Sequence, residues 1–323
     1  MMQKEIDVTA LGELLIDFTE NGVSSQGNAL LEANPGGAPC NVLSMLSNLG
    51  YKTGFIGKVG NDGFGKLLKE TLDKENISTD GLVLSDEYNT TAAFVHLDEN
   101  GERSFSFYRN IGADEMLTED EINEEMIKNS KIFHFGTLSM TNEPVKSATK
   151  KAIDIAKENN VLISFDPNYR PALWKNDNLV KEAIEYGLNK CDILKISDNE
   201  LEFITGMNDM NEAIIEIKNK YDIKLILVTL GENGSMYWYK NCIGYRSGFK
   251  SEVIDTTGAG DTFHGALLSK IMEIDIDNID VEYLDYALDF ANAAASIVVK
   301  RKGALKSMPT KEEINTILED RLS

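Results

Sequence analysis

The residues best placed to do chemistry form a loop of small side chains that ends in an aspartate. Residues 255–263 read Asp-Thr-Thr-Gly-Ala-Gly-Asp-Thr-Phe, and a helix-like pattern follows them. Small residues at a helix start, here Gly258, Ala259 and Gly260, leave backbone N–H groups accessible, and the helix dipole adds partial positive charge. A phosphoryl group can bind there, and Asp261 beside it would serve as the base that accepts a proton from an attacking hydroxyl. An aspartate that merely caps the helix explains this loop equally well.

A second glycine-rich loop has most of the spacing of a nucleotide-binding P-loop. Residues 60–67 read Gly-Asn-Asp-Gly-Phe-Gly-Lys-Leu. A P-loop ends in Ser or Thr, because that hydroxyl holds Mg²⁺, and this chain has Leu67 there. The chain also lacks Gly-x-Gly-x-x-Gly, the fingerprint of dinucleotide-binding folds. Neither common nucleotide motif is therefore expected to operate here.

Further candidates lie near the N-terminus. Gly36 and Gly37 precede a helical pattern, and paired glycines allow the hydroxyl groups of a ligand to approach the backbone closely. Asn41, just after them, offers both a donor and an acceptor. Asp17 is predicted to close the first strand at its carboxyl end, which is the ligand side of an open α/β sheet. Taken alone, the glycine pair is equally compatible with a plain turn.

The elements that must position these residues alternate along the chain. Apolar runs without polar alternation, separated by helix-period segments, predict a parallel sheet covered on both faces, that is, a three-layer doubly wound α/β fold. The predicted strands are 6–11, 54–59, 132–135, 161–165, 192–196 and 225–229. The predicted helices include 41–49, 64–74, 145–159, 179–189 and 211–220.

One segment departs from this rhythm. Residues 90–97 and 102–108 alternate apolar with polar side chains, and 98–101 read Asp-Glu-Asn-Gly, which favours a hairpin turn. A hairpin inserted in an α/β chain is typical of an edge addition or a lid, and 235–239 with 243–245 form a second hairpin candidate. Residues 1–323 are interpreted as one domain with lid strands around 12–34 and 88–110.

The charge of the chain excludes some functions. It carries 32 basic and 53 acidic residues, for a formal net charge of −21. Nucleic-acid and anionic-membrane partners are not expected, since both require a basic surface. Twenty of the excess charges lie in 114–125, 198–216 and 273–289, which are interpreted as solvated outer faces of helices.

Cysteine usage and the N-terminus point to the cytoplasm. The three cysteines, Cys40, Cys191 and Cys242, are far apart and lack metal-ligand spacing, which favours reduced thiols. The first ten residues carry charges where a signal peptide needs an apolar run, and no segment is long and apolar enough for a membrane span. His134 and His264 are interpreted as isolated packing residues.

Taken together, the motifs resemble those of the PfkB, or ribokinase-like, carbohydrate kinases. The resemblance rests on Asp255 to Asp261 with Gly265 and Ala266 after it, on Gly36, Gly37 and Asn41, and on further segments over nearly the whole chain. These further segments are Gly60-x-Asp62 with Gly65, 166–170, 229–234 and 291–294. Within the family, residues 12–18, 107–110 and 166–174 are most similar to fructokinases.

The resemblance implies an ATP- and Mg²⁺-dependent sugar kinase, most similar to fructokinase, and a role for each matched residue. The implied catalytic groups are the base Asp261 and the anion hole of Gly258, Ala259 and Gly260. The implied sugar-binding residues are Asp17, Gly36, Gly37, Asn41, Tyr108 and Arg109 on the lid hairpin, and Arg170. The implied nucleotide-binding residues are Thr229, Gly231, Gly234 and Asn292. Glu200 is implied as an indirect Mg²⁺ residue, and Asp255 and Thr257 as ligands of a monovalent cation such as K⁺.

Two departures from the family pattern bear on the substrate. The family's metal-linked Asn-x-x-Glu has Ser197 in the Asn place, and Ala38 stands where ribokinases tend to carry a lysine. The second departure weighs against ribose. Alternatives are 2-keto-3-deoxygluconate, whose carboxylate Arg109 and Arg170 could bind, an aminoimidazole riboside, or a non-catalytic sugar or nucleotide sensor. The resemblance also implies that two chains can pair through the lid.

Overall fold

The computed structural model of the protein describes residues 4–97, 103–109 and 111–322. Its strands, in chain order, are β1 Ile6–Leu11, β2 Leu15–Val23, β3 Ala29–Gly36, β4 Thr53–Gly60, β5 Ile77–Ser85, β6 Ala92–Leu97, β7 Arg103–Tyr108, β8 Ser130–Gly136, β9 Leu162–Asp166, β10 Ile193–Ser197, β11 Leu225–Thr229, β12 Gly234–Tyr239 and β13 Cys242–Ser247. Its helices are α1 Ala38–Asn48, α2 Gly63–Lys74, α3 Glu124–Lys128, α4 Val145–Glu158, α5 Asp177–Leu188, α6 Asp198–Thr205, α7 Met210–Lys220, α8 Ala259–Ile271, α9 Val281–Val298 and α10 Lys311–Leu322. In the described residues, no helix has both the length and the apolarity that crossing a membrane requires.

The large sheet has nine strands in the order β13-β12-β11-β10-β9-β8-β1-β4-β5. All neighbours from β11 to β5 pair in parallel, and β12 and β13 form an antiparallel hairpin at one edge. One apolar core lies between this sheet and α1, α2, α8, α9 and α10, and the other lies under α3 to α7. The predicted three-layer doubly wound fold is confirmed, since helices cover both faces of the sheet. Parallel strands that are buried on both faces need such helices on both sides.

A second sheet of four strands, in the order β3-β2-β6-β7, stands apart from the large one. We call it the small sheet. The predicted 90–108 hairpin supplies β6 and β7, while its predicted turn, 98–101, lies outside the described residues. Sequence patterning placed Asp17 at the end of the first strand, which was wrong. That strand ends at Leu11, and Asp17 belongs to β2 of the small sheet, paired in register with Asn34.

The helices that carry the candidate site approach each other closely. A Cβ atom at Gly265 of α8 would lie 2.8 Å from the Cβ of Met45 and 2.8 Å from the carbonyl oxygen of Val42, both on α1. Only glycine leaves room for this contact. Since Asp261 lies about one turn before Gly265, and Asn41 about one turn before Met45, the close packing of α1 on α8 brings these two side chains together.

One of the acidic stretches is not a solvated helical face. In 114–125, five of the seven acidic residues lie in short 3₁₀ turns, and Asp114 and Glu115 are only 3% and 7% exposed. Asp114 forms an ion pair with Arg109, and Glu115 accepts hydrogen bonds from Gly112 N–H and from Asn142. The sequence interpretation failed here because a local run of acids does not show that Arg109, five positions before Asp114, is buried with it.

Candidate active site

The candidate site is built around the N-terminus of α8. Gly258 precedes the helix with φ 75°, a left-handed conformation that favours glycine, and a Cβ there would lie 2.5 Å from the Cβ of Ala304. Thr262 donates its hydroxyl to the carbonyl of Gly258 at 2.7 Å and fixes the turn. The first N–H groups of an α-helix have no partner within the helix. The N–H of Ala259 donates to the carbonyl of Thr256 at 3.3 Å. With this one N–H engaged, the loop of Gly258, Ala259 and Gly260 still lies where a helix start can bind an anion.

Asp261 is the buried carboxylate of this site. It is 8% exposed, and its Oδ2 accepts a hydrogen bond of 2.8 Å from Nδ2 of Asn41. Burial, with the nearby charge of Asp166, raises its pKa from 3.8 to about 6, although Asn41, Lys195 and Arg170 act in the opposite direction. A carboxylate with this pKa is ionised at neutral pH and still basic enough to take a proton from a hydroxyl.

Behind the loop lies a buried ion pair that sequence reasoning did not single out. Lys195 on β10 and Asp166 at the end of β9 are joined by a 2.9 Å contact from Nζ to Oδ2, and both side chains are less than 10% exposed. A Cβ on Gly260 would lie 2.9 Å from this Nζ. The signal in the sequence was a lysine inside the otherwise apolar run of Ile193 to Ile196.

The same face of the sheet continues into a histidine pair. His134 on β8 and His264 on α8 both contact the hydroxyl of Ser164, at 3.1 Å from Nδ1 and 2.8 Å from Nε2, and their rings pack edge to face. Burial lowers the pKa of His134 to about 4 and moves that of His264 in the same direction, so both rings are neutral. The interpretation of these histidines as isolated was wrong, because a strand and a helix far apart in sequence, β8 and α8, bring them together on Ser164.

The predicted sugar-binding residues converge from the small sheet and from α1. Asp17 on β2 lies directly against Gly36, where a Cβ would overlap its carboxylate. Gly37 has φ 137°, and a Cβ there would overlap the carbonyl oxygen of Glu13. Burial raises the pKa of Asp17 to about 6, with Arg170 lowering it and Asp255 raising it, so these charges share one region.

Glu13 supports this loop from below and was not predicted as a site residue. It is 4% exposed, and its Oε1 accepts a 2.8 Å hydrogen bond from the N–H of Ala38 at the start of α1. Burial raises the pKa of Glu13 to about 7. The Gly-Glu pair after the first strand was the available sequence signal.

The two residues expected to reach in from the hairpin differ in placement. Tyr108 is 70% exposed on β7, with its ring against Phe94. Arg109 is 7% exposed and points inward, with contacts to Asp114 and to the carbonyl of Leu138. The guanidinium of Arg109 is thus held by a buried carboxylate, and the role of Arg109 in sugar binding stays a prediction.

Three of the predicted nucleotide residues lie at or just after the end of β11, and the fourth lies on α9. Thr229 ends β11 in register with Ser197, and Gly231 and Gly234 both have positive φ, 57° and 104°. Asn292 on α9 is 6% exposed and donates its amide to the hydroxyl of Ser235 at 3.0 Å. The structure brings Asn292 to the strand that begins at Gly234, although its amide nitrogen is engaged within the protein.

The residues considered for metal binding are already hydrogen-bonded. Glu200 accepts from the N–H of Tyr169 at 2.7 Å and from the N–H and hydroxyl of Ser197 at 2.8 and 2.9 Å. Asp255 accepts from the N–H groups of Thr257 at 2.7 Å and Gly303 at 3.2 Å. Residues 4–97, 103–109 and 111–322 contain no cluster of three or more His, Cys, Asp or Glu side chains suited to hold a metal ion.

The loop with P-loop spacing has a structural explanation. Asp62 occupies the N-terminus of α2 and accepts from the N–H groups of Phe64 and Gly65, while its other oxygen accepts from Thr90 N–H at 2.8 Å. Partial burial acts to raise its pKa, but these hydrogen bonds keep the pKa of Asp62 below the ordinary value. An aspartate thus fills the position that a phosphate would take in a P-loop.

Comparisons with known proteins agree with this architecture. The sequence pattern described as "pfkB family carbohydrate kinase" matches residues 5–311. "Probable fructokinase-2" of Arabidopsis thaliana is 42% identical over 315 residues, which span 97% of this chain and 95% of that protein.

Solved structures give the same result. Fructokinase from Xylella fastidiosa with bound ATP has a TM-score of 0.90 at 29% identity, and the match covers 100% of both chains. A fructokinase double mutant from Vibrio cholerae O395, with fructose, ADP and a potassium ion bound, has a TM-score of 0.87 at 30% identity. That match covers 98% of this chain and 100% of the other.

Proposed function

The chain belongs to the pfkB family of carbohydrate kinases, and from this premise we propose that it transfers the γ-phosphoryl group of ATP to a hydroxyl group of fructose. It is an ATP-dependent sugar kinase. The observation that carries the assignment of roles is the buried carboxylate of Asp261, bonded to Asn41, at the mouth of the glycine loop. A sensor would have no need for a base in that position.

In the proposed reaction, Asp261 accepts the proton of the sugar hydroxyl as its oxygen attacks the γ-phosphorus. The new O–P bond forms while the bond from the γ-phosphorus to its bridging oxygen breaks, and ADP leaves in line with the attack. The backbone N–H groups of Gly258, Ala259 and Gly260 stabilise charge on the transferring group. The hydrogen bond from Asn41 holds the carboxylate of Asp261 in place.

The sugar is proposed to bind between the small sheet and α1. Asp17, Gly36, Gly37 and Asn41 offer carboxylate, backbone and amide groups for its hydroxyls, and Arg170 adds a cation. The single kinase domain would use the small sheet as a lid, with Tyr108 at its exposed edge. Closure would exclude water, which otherwise competes as the acceptor.

Arginine placement favours fructose over a keto-acid sugar. A carboxylate substrate needs a free cation, and Arg109 is engaged by Asp114 in a buried ion pair. Arg170 is exposed, and its Nη1 makes one 3.2 Å contact to a carbonyl, so a single arginine would have to serve. A neutral ketose does not impose this requirement.

Mg²⁺ fits this site through the nucleotide. Glu200 is a buried carboxylate whose oxygens already accept hydrogen bonds, which suits an indirect contact through water. Mg²⁺ usually keeps several waters and binds through substrate phosphates with one or two carboxylates. When bound, it would neutralise phosphate charge. Asp255 and Thr257 offer oxygen ligands for K⁺ beside the loop, and this proposal predicts higher activity in K⁺ than in a large organic cation.

The test of the proposed function is ADP release from wild type and Asp261→Asn over a panel of acceptors. The panel contains fructose, tagatose, ribose, 2-keto-3-deoxygluconate and an aminoimidazole riboside. Wild type should have its highest kcat/KM with fructose, and Asp261→Asn should lose this activity. ADP release with none of these acceptors would refute the kinase assignment in favour of a sensor, and a higher kcat/KM for the keto acid would refute fructose.

We further propose a homodimer through the small sheet. Val23, Leu30 and Leu31 on β2 and β3 are 67%, 47% and 45% exposed, an apolar set that two copies could bury together. Leu31→Glu should convert the dimer to a monomer in analytical ultracentrifugation. The control, Ile215→Glu on α7, introduces the same charge at a residue 46% exposed and should leave it dimeric. A wild-type monomer would refute this proposal.

A cytoplasmic location and small-molecule partners complete the proposal. Cys40 and Cys191 are buried and Cys242 is exposed, all three without a disulfide, as in a reducing compartment. The net charge of −21 supports the absence of nucleic-acid partners.

A further inference from the structure

The face of the large sheet beneath α8 carries a strip of polar side chains in an otherwise apolar core. In register, His134 of β8 pairs with Ser164 of β9, which in turn pairs with Ile193 of β10. Asp166 and Lys195 lie two residues further along β9 and β10, and side chains two apart share a face of a sheet. Ser164 bonds to His264 of α8, so this face is the one that meets α8.

Lys195 is the unusual member of the strip. Its ammonium group is buried, and it carries three donors, but the part of the chain that the structure describes gives it one acceptor, Asp166 at 2.9 Å. Buried ion pairs are costly, and apolar replacements are often neutral or stabilising. Packing alone therefore does not account for a lysine here. Across the interface it lies beside Gly260 of the glycine loop, where a Cβ would be only 2.9 Å from its Nζ. We call Gly258, Ala259 and Gly260 the anion loop.

Resting on the proposed function, we propose that Lys195, oriented by Asp166, is a positioning residue for phosphoryl transfer: its buried ammonium lies beside Gly260 of the anion loop, next in sequence to Asp261. The two members of the pair act on Asp261 with opposite sign. The charge of Lys195 lowers the pKa of Asp261, and the charge of Asp166 raises it. The effect of Asp166 is the larger of the two, so Lys195 offsets part of the rise in the pKa of Asp261 that burial and Asp166 cause.

The other groups around Asp261 are accounted for. Arg170, from the loop after β9, is a second cation that acts on it, and Asn41 of α1 is an uncharged donor. His264, three residues further along α8, is held neutral by burial, because its pKa lies well below 6.5. Arg170 is exposed and screened by solvent, whereas Lys195 is buried, so the charge of Lys195 acts more strongly.

The experiment measures the acidic limb of the pH profile of kcat/KM, which reports the free enzyme. Lys195→Met should move this limb up by about one unit, because removal of a neighbouring cation has an effect of that size. At pH 6, kcat/KM should fall roughly fivefold beyond any pH-independent loss, and this extra loss should nearly vanish at pH 8. Asp166→Asn should move the limb down. The charge-balanced double variant Lys195→Met with Asp166→Asn should lie close to wild type, and it keeps the test valid if the single lysine variant folds poorly.

The matched control is Lys58→Met. Lys58 is also buried on the large sheet, where it contacts Glu121 at 2.7 Å and the carbonyl of Met116. This variant breaks a comparable ion pair away from the site and should leave the acidic limb unmoved. The proposal is overturned if Lys195→Met shifts the limb no more than this control, or if Lys195→Met and Asp166→Asn shift it in the same direction.

A second readout separates this proposal from the proposed function. The carboxyl ¹³C resonance of Asp261, assigned by its loss in Asp261→Asn, reports the titration directly without any substrate. Opposite shifts in the two single variants would support the pair even if no sugar in the panel were phosphorylated. If the titration of Asp261 is unshifted in both single variants while wild type is active, the proposed role of Lys195 and Asp166 is refuted and the kinase assignment is not.

Discussion

Replacing Asp261 with asparagine should make the protein less active and more stable at the same time. The substitution keeps the shape of the side chain, and its carbonyl oxygen can still accept the hydrogen bond from Asn41. It removes the group proposed to take the hydroxyl proton. General bases contribute about 10²- to 10⁴-fold to rate, so kcat should fall by that factor while ATP affinity is retained.

The gain in stability follows from the pKa. Folding raises the pKa of Asp261 from 3.8 to about 6 because the carboxyl group is buried. The folded state therefore binds more protons than the unfolded state between these values, and stability is lost as pH rises through this window. Above it, the buried charge costs up to about 3 kcal/mol, since each unit corresponds to about 1.4 kcal/mol. Asp261→Asn should remove this cost at pH 8 and leave stability unchanged below pH 4.

Urea denaturation at several pH values, with kcat measured on the same samples, checks both effects. Asp73→Asn is the control, because Asp73 is half exposed at the end of α2 and its replacement should change neither activity nor stability by more than a few tenths of a kcal/mol. A variant with the wild-type rate would refute the role of Asp261 as a base. A variant no more stable than wild type at pH 8 would refute the argument from charge burial.

Three further predictions concern the loop, its hydrogen bond and the histidine pair. Gly258→Ala, at φ 75° with a Cβ that meets the chain, should reduce kcat at least about tenfold, whereas Gly206→Ala, at φ 71° in open space, should cost only about 1 kcal/mol and keep kcat. Equal kcat values for the two variants would contradict the role of the loop. Asn41→Leu removes a donor that lowers the pKa of Asp261, so the acidic limb of kcat/KM should move to higher pH; an unmoved limb would contradict this. Burial lowers the pKa of His134 from 6.5 to about 4, so about 3 kcal/mol of the free energy of unfolding is lost as pH falls through this range. His134→Gln should therefore make the free energy of unfolding, measured by denaturation, depend less on pH on the acid side.

The sequence predicted most where the signal is local. The glycine loop before α8 and the glycine pair before α1 are readable because a helix start requires particular residues within a few positions. Eight of the nine strands of the large sheet were predicted to within about two residues, because an apolar run is also a local signal, whereas β5 was missed. The departure of Leu67 from the P-loop pattern was also a local signal, and Asp62 accordingly caps α2.

What the sequence could not predict depends on contacts between distant residues. Lys195 and Asp166 are 29 positions apart, and His134 and His264 meet only because β8 and α8 pack on Ser164. Arg109 looked available because its partner, Asp114, lay in a stretch interpreted as solvated. No period in the sequence distinguishes a carboxylate that faces water from one that faces a buried arginine.

The place of Asp17 on the small sheet bears on how the enzyme would distinguish a sugar from water as the acceptor. Asp17 lies on β2 of the small sheet, whereas Asp261 lies on α8 against the large sheet, so different layers of the fold hold the two carboxylates. Under the proposed function, only an acceptor that carries several hydroxyl groups can span both. Water has a nucleophilic oxygen, but it is too small to contact both carboxylates at once. Phosphoryl transfer would thus require that the acceptor bind the small sheet and reach Asp261 at the same time.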